Sequence, residues 1–170
     1  MTVSYRDAVA TDAEALAAIG ARTFTTTFGH LYSPANLAIF LENHTLDNWA
    51  RVIASDASIR LAEVNGTAVG YARLDRVLLP VGDTATRGLQ LYQLYLDPDW
   101  HGRGVAQALL DWVIATARAR GADALWLSVF IDNHRARAFY RRYGFVEVMP
   151  YIFMVGDHAD EDLICKLDLA

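Results

Sequence analysis

Apolar and polar positions along the chain recur with periods of two and of about 3.6, and their order predicts most of the elements. The stretch VSYRDAV (3–9) reads as a first strand. Behind Thr11 and Glu14, a capping-box pair, the run DAEALAAIGARTF carries Ala15, Ile19, Arg22 and Phe24 on a partly apolar helical face. In YSPANLAIFLENH, Ser33 is placed to cap a second helix, Pro34 suits its first turn, and Leu37, Phe40 and Leu41 recur at helical spacing. A short third helix is expected over 48–54. SIRLAEV and TAVGYARL alternate on either side of Asn65-Gly66, which predicts a tight hairpin. LQLYQLYL (89–96) is expected to be a central strand because both its faces are largely apolar. Strict alternation puts Leu89, Leu91, Gln93 and Tyr95 on one face, and Gln90, Tyr92, Leu94 and Leu96 on the other.

A helix with Val105, Leu109, Trp112, Val113 and Thr116 on one stripe then runs to Gly121 and is followed by the short apolar run ALWLSVF. Strand, helix and strand in that order predict a right-handed parallel crossover. NHRARAFYRRYGF is a further helix, begun by Asp132 or Asn133 and stopped at Gly144. Two last strands, YIFMV and DLICKL, flank a turn in which Asp157, Asp160, Glu161 and Asp162 read as a solvated acidic cluster. The prediction is an α/β fold with a mixed sheet of about seven strands and helices on both faces. Residues 1–170 suit a single domain without internal repeats.

Composition narrows the class without choosing a function. With 54% hydrophobic and 21% charged residues, the chain can bury a full core. The start has no basic stretch ahead of an apolar one, and no apolar run approaches about 20 residues, so a cytoplasmic protein off the membrane is expected. A net charge of −5 argues against a sequence-independent nucleic-acid binder and suits a cationic small substrate. The single cysteine, Cys165, lies in an alternating strand and reads as buried. The five histidines are isolated, so no metal site is expected.

The stretch WHGRGVAQALLDW (100–112) sets Gly102 and Gly104 between a central strand and the amino end of a helix. There the helix has unpaired N–H groups and partial positive charge, and the missing side chains let a phosphate approach the backbone. Arg103 adds a cation. A Walker loop is excluded because no Lys-Ser or Lys-Thr follows, and a dinucleotide fingerprint is excluded because Gln107 holds the third glycine position. Asn133, Ala136 and Tyr140 share one face of the last helix, with Asn133 and Tyr140 about 10 Å apart along its axis. Asn133 is equally suited to capping that helix, and Tyr140 to packing in the core.

These two motifs, in this order, resemble the coenzyme A site of the GCN5-related N-acetyltransferases. The loop of that family, Gln or Arg-x-x-Gly-x-Gly or Ala, is matched by Gly104 and Ala106, with His101 departing at the first position. Its Asn-x-x-Ala-x-x-x-Tyr helix ahead of Gly-Phe is matched by Asn133, Ala136, Tyr140, Gly144 and Phe145. Scattered positions in TFTTTFGHLYSPANLAIFL and YIFMVGDHADEDLICKL are similar to the PaiA type, acetyltransferases associated with spermidine and spermine.

The resemblance implies an acyltransferase that moves an acetyl group from acetyl-coenzyme A to a primary amine of a small molecule, a polyamine among the options, by direct attack in a ternary complex. It implies coenzyme contacts from Leu94, Tyr95, Leu96, His101, Gly102, Arg103, Gly104, Val105, Ala106 and Asn133. Tyr140 would protonate the departing thiolate and also touch the coenzyme. Many relatives carry a glutamate on the strand that here reads LQLYQLYL, and this strand has no carboxylate. Asp97, Glu63, His134 and Tyr92 therefore stay unranked as the base. His30, Tyr32 and Tyr151 are candidate walls for the amine; Glu42, Asp157 and Glu161 cannot be placed. Other acceptors, such as a peptide amine, and a catalytically weak coenzyme A-binding regulator remain open, and a homodimer is compatible with the fold.

Overall fold

The computed structural model describes residues 1–82 and 87–170. Its strands are β1 (Ser4–Asp7), β2 (Ser58–Val64), β3 (Thr67–Arg76), β4 (Gly88–Leu96), β5 (Ala124–Phe130), β6 (Val146–Val155) and β7 (His158–Asp168). They form one sheet in the order β1-β2-β3-β4-β5-β7-β6, antiparallel except where β4 runs beside β5. Among the described residues, five α-helices cover it: α1 (Ala13–Phe28), α2 (Pro34–Leu41), α3 (Leu46–Ile53), α4 (Val105–Ala119) and α5 (His134–Arg142). The last two pack on one face, where Val105, Leu109, Leu110 and Val113 join Leu91, Leu96 and Leu125 in the largest core cluster. The first three cover the other face, over Leu16, Ile19, Trp49, Leu61 and Tyr71. Mixed sheet, parallel crossover and helices on both faces are as expected.

Local chemistry explains where the elements begin. Ser33 accepts the Asn36 N–H at 3.2 Å with Pro34 in the first turn, and Thr45 does the same for Asn48 at the start of α3. The α1 cap differs from the expected box. Asp12, not Thr11, occupies the N-cap, its carboxylate accepting the Val9 N–H at 2.7 Å and a two-pronged contact from Arg6 at 2.7 and 2.8 Å. Arg6 also reaches Glu63 at 2.7 Å, tying α1 to the β1–β2 edge. The buried stripe of α1 is Leu16, Ile19, Gly20, Thr23 and Phe24, while Ala15 and Arg22 face solvent.

The faces of β4 also differ from strict alternation. Against β3, Gln93 lies opposite Arg73 and Leu91 opposite Leu74, so Tyr92 is an extra residue at a bulge. The insertion reverses the parity: Leu89, Leu91, Leu94 and Leu96 share the α4 face, while Gln90, Gln93 and Tyr95 lie on the other face, Gln90 accepting the Leu78 N–H at 2.9 Å. The last hairpin is longer than expected. Its turn is Gly156–Asp157, so Asp160, Glu161 and Asp162 lie inside β7. Cys165 is buried at 3% exposure, and burial pushes its thiol up to about 11.

Candidate active site

β4 and β5 pair over only three residue pairs, Gly88 with Ala124 through Gln90 with Trp126. Beyond that point they splay, and β5 continues in register with β7 as far as Phe130. A cavity of about 550 Å³ occupies the gap, lined by residues 91–96 of β4 and 127–130 of β5. The gap leaves an edge within the sheet. The Asp97 N–H bonds to Val69 O on β3 at 2.9 Å, so the N–H of Leu96 points the opposite way, into the gap. Leu94, Tyr95 and Leu96 all line the cavity.

On the α4 side the cavity meets the glycine loop. Gly102 and Gly104 both hold positive φ, 73° and 80°, and a Cβ on either would meet no atom within 4 Å. Gly104 is the N-cap of α4, whose first helical bond, Ala108 N–H to Gly104 O, is 3.0 Å long. The amides of Val105, Ala106 and Gln107 therefore have no partner within the helix. His101, Gly102, Gly104 and Ala106 line the cavity. Two expected residues do not. Arg103 is held outside, its guanidinium 5.3 Å from the centroid of Trp100, and the Val105 side chain is 1% exposed in the core, leaving only its backbone at the helix end.

His101 faces Arg135, with Nη1 2.8 Å from its Nδ1, and a hydrogen bond to the Leu96 backbone ties it to the end of β4. Partial burial and the Arg135 charge hold its pKa below the usual histidine value. Arg135 and Arg142, from α5, also line the cavity, so this side is cationic.

The two motif residues of α5 meet in the same space. Asn133 caps the helix, its Oδ1 accepting the Ala136 N–H at 3.2 Å, which leaves its amide N–H groups to serve the cavity. Its two readings are thus compatible. One face of α5 presents Asn133, Ala136 and Tyr140 to the gap. The Tyr140 ring packs edge-on against Phe145 at 5.6 Å, and desolvation raises its pKa above that of a free phenol, so it holds its proton at neutral pH.

None of the four base candidates keeps a free carboxylate or imidazole in the cavity. Asp97 is bound by Arg22 at 2.8 Å, Glu63 by Arg6, and His134 is exposed on the first turn of α5. Tyr92 lines the cavity, 40% exposed, with the Arg73 guanidinium 4.2 Å from its ring centroid. Of the expected amine walls, Tyr32 lines the cavity, while His30 is exposed and Tyr151 packs near Trp126 and Ile164. Asp157 bonds Asn36 at 2.7 Å, and Glu42 and Glu161 are exposed.

Among the described residues, the carboxylates that do face the cavity are Asp160 and Asp162, at 5% and 8% exposure. The Tyr32 hydroxyl donates to Asp160, and His158 Nε2 lies 3.3 Å from its other oxygen. Asp162 accepts a bond from Ser128; burial, followed by the neighbouring Asp160, raises its pKa to about 6. Their reading as a solvated turn is therefore overturned. The missed signal is the alternation of DLICKL: carried back toward the N-terminus, it puts Asp162 and Asp160 on the same face as the buried Ile164. The cavity thus passes through the sheet, cationic where α4 and α5 meet it and anionic under α1.

No helix among the described residues is long and apolar enough to cross a membrane, and among them no group of three or more His, Cys, Asp or Glu could hold a metal ion.

The model of the acetyltransferase (GNAT) family matches residues 21–145. An uncharacterized N-acetyltransferase of Mycobacterium tuberculosis is 37% identical over 161 residues, covering 94% of this chain and 99% of that protein. The [ribosomal protein bS18]-alanine N-acetyltransferase of Escherichia coli is 36% identical over 108 residues, 62% of this chain and 68% of that protein. Among solved structures, the PaiA N-acetyltransferase from Thermoplasma acidophilum in complex with coenzyme A aligns with a TM-score of 0.80 at 19% identity, covering 99% of both chains.

Proposed function

The chain belongs to the GNAT family of acetyltransferases and is an N-acetyltransferase, and from that premise we propose that it acetylates a primary amine of a small molecule, using acetyl-coenzyme A. The observation that carries this reading is the cavity through the sheet, with a phosphate-compatible helix end on one side and buried carboxylates on the other.

The residues fit the coenzyme. The open space around Gly102 and Gly104, the amides of residues 105–107 and the Arg135 and Arg142 side chains suit a pyrophosphate. The free edge at Leu94 and Leu96 suits an amide-bearing arm that pairs like an added strand, and Asn133 offers further donors to it. Acetyl-coenzyme A supplies the activated acetyl thioester. In this reading the Leu96 N–H, which faces the gap, polarises the thioester carbonyl, and Tyr140, protonated at neutral pH, gives a proton to the leaving thiolate.

The test is thiol release from acetyl-coenzyme A over a panel of alkyl amines, diamines, amino acids and an α-amino peptide. Turnover of small amines supports the reading; turnover of the peptide alone moves the acceptor to protein, and tight coenzyme binding without turnover makes the chain a sensor. Tyr140→Phe keeps the ring and its packing, so turnover should fall about 10²- to 10⁴-fold while coenzyme A affinity and melting temperature hold. Unchanged turnover refutes the role of Tyr140.

A further inference from the structure

The α1 side of the cavity holds an arrangement that binding a coenzyme does not require. Its walls are Phe24, Phe28, Tyr32 and Phe153. Between them lie three buried acceptor groups, Asp160, Asp162 and the side-chain oxygen of Gln93. Gln93 is 9% exposed; its amide end bonds Tyr95, and its Oε1 has no hydrogen-bond partner. A buried acceptor without a donor is rare in folded proteins, and this one lines a cavity that a ligand can enter.

We propose that this end of the cavity is a cation site for an alkyl ammonium with no carboxylate on the adjacent carbon, and that Asp162 takes the proton the ammonium must lose. The inference rests on the acetyltransferase reading above and names its acceptor class and its base. An ammonium has three N–H donors and no acceptor, which complements a pocket offering Gln93 Oε1 and two carboxylates. The aromatic walls suit a cation on their faces. An amino acid would bring its own carboxylate against Asp160 and Asp162, where nearby like charges are unfavourable.

The carboxylates have different tasks. Asp160 is engaged at both oxygens, by Tyr32 and by His158, and serves as a fixed acceptor. Asp162 accepts from Ser128, and its raised pKa of about 6 makes it an effective acceptor near neutral pH. The other titratable or charged groups around it are Tyr32 before α2, Tyr95 on β4, and Tyr151, its register partner on β6. Arg73, opposite Gln93 on β3, is paired with Asp75 at 2.6 Å.

The protons balance. Asp162 accepts one proton from R–NH3⁺ and later releases it to water. The free amine nitrogen then forms the C–N bond to the acetyl carbon as the C–S bond breaks. Tyr140 protonates the leaving sulfur and recovers a proton from the acylated nitrogen. The sum is one ammonium and one thioester giving one amide, one thiol and one proton.

The experiment pairs n-pentylamine with norleucine, the same chain bearing an α-carboxylate, on wild type and on the near-isosteric Asp162→Asn. Calorimetry on the coenzyme A-bound protein at pH 7.5 should show pentylammonium binding to wild type, at least about tenfold weaker norleucine binding, and at least about tenfold weaker pentylammonium binding to Asp162→Asn. In the thiol assay, kcat/KM for pentylamine should fall about 10²- to 10⁴-fold in Asp162→Asn, and the acidic limb of its pH profile should disappear. Retained coenzyme A binding and a cooperative melt establish that the variant is folded, and Asp162→Ser provides a second substitution. Equal pentylammonium affinity in wild type and variant, norleucine bound as tightly as pentylamine, or an unchanged acidic limb overturns the proposal. Pentylammonium binding that depends on Asp162, without thiol release from any amine, instead refutes the acetyltransferase reading and leaves the cation site standing.

Discussion

Helix α4 begins and ends on a glycine with φ of +80°, Gly104 before its first turn and Gly121 after its last, and a Cβ on either would meet nothing within 4 Å. Alanine at either position should therefore cost only the backbone term. A left-handed conformation costs a non-glycine residue about 1–2 kcal/mol, and the stiffer unfolded chain returns about 0.4–1 kcal/mol. Each variant should thus lose roughly 1 kcal/mol, a fall of about 2–4 °C in melting temperature for a chain of this size. Their ligand behaviour should differ sharply. At Gly104 the methyl group stands where a phosphate would approach the helix end, and losing one charge-assisted hydrogen bond costs about 1.5–3 kcal/mol, or roughly a 10- to 150-fold loss in coenzyme A affinity. At Gly121 no cavity residue is touched, and affinity should hold within twofold. Differential scanning fluorimetry without ligand and calorimetry with coenzyme A measure the two quantities separately. If Gly104→Ala binds as wild type does, or if Gly121→Ala weakens binding equally, the assignment of the α4 terminus as the anion site is wrong.

Two further predictions concern pH. His44, 5% exposed and accepting from Trp49 Nε1 at 3.3 Å, is held down to about 4 by burial, so its contribution is present above the unfolded value near 6.5 and is lost as pH falls through 4. Asp162, raised to about 6, has the opposite sign: its contribution is present below 3.8 and lost as pH rises through 6. Each shift corresponds to about 3 kcal/mol at full extent. In urea denaturation at pH 7 and pH 4.5, His44→Gln should lose less stability in acid than wild type, and Asp162→Asn should lose more; parallel losses in all three would refute both assignments. At His101 the lowered pKa confines any charge change to the acid side of 6.5. Coenzyme A affinity of wild type should therefore rise as pH falls below the ordinary histidine value, and His101→Gln should be flat there; identical calorimetric profiles would remove His101 from phosphate binding.

What could be read from sequence was what local chemistry dictates. Ser33 with Pro34 and Asn65-Gly66 specify their own conformations, and Gly104 opens α4 with no side chain to contradict it. The Asn133–Tyr140 face follows from helical spacing alone. What escaped depends on the partner strand. The bulge at Tyr92 has no signature in LQLYQLYL, because leucines and polar residues occupy both phases and only pairing with Arg73 and Leu74 shows which residue is extra. Asp160 and Asp162 were hidden for a related reason. A run of acidic residues after a glycine reads as solvent-facing until Tyr32, 128 positions away from Asp160, and the α1 aromatics are known to cover it.

The extra residue in β4 also acts as a phase shifter. Upstream of Tyr92 the strand obeys one parity and downstream the other, so a single position decides that Gln93 and Tyr95 face the acceptor end while Leu94 and Leu96 face the α4 core. Moving that insertion by one or two places would exchange which side chains reach each end of the cavity without altering a residue type. A new acceptor preference on this scaffold is therefore reachable by a shift in strand register as well as by substitution.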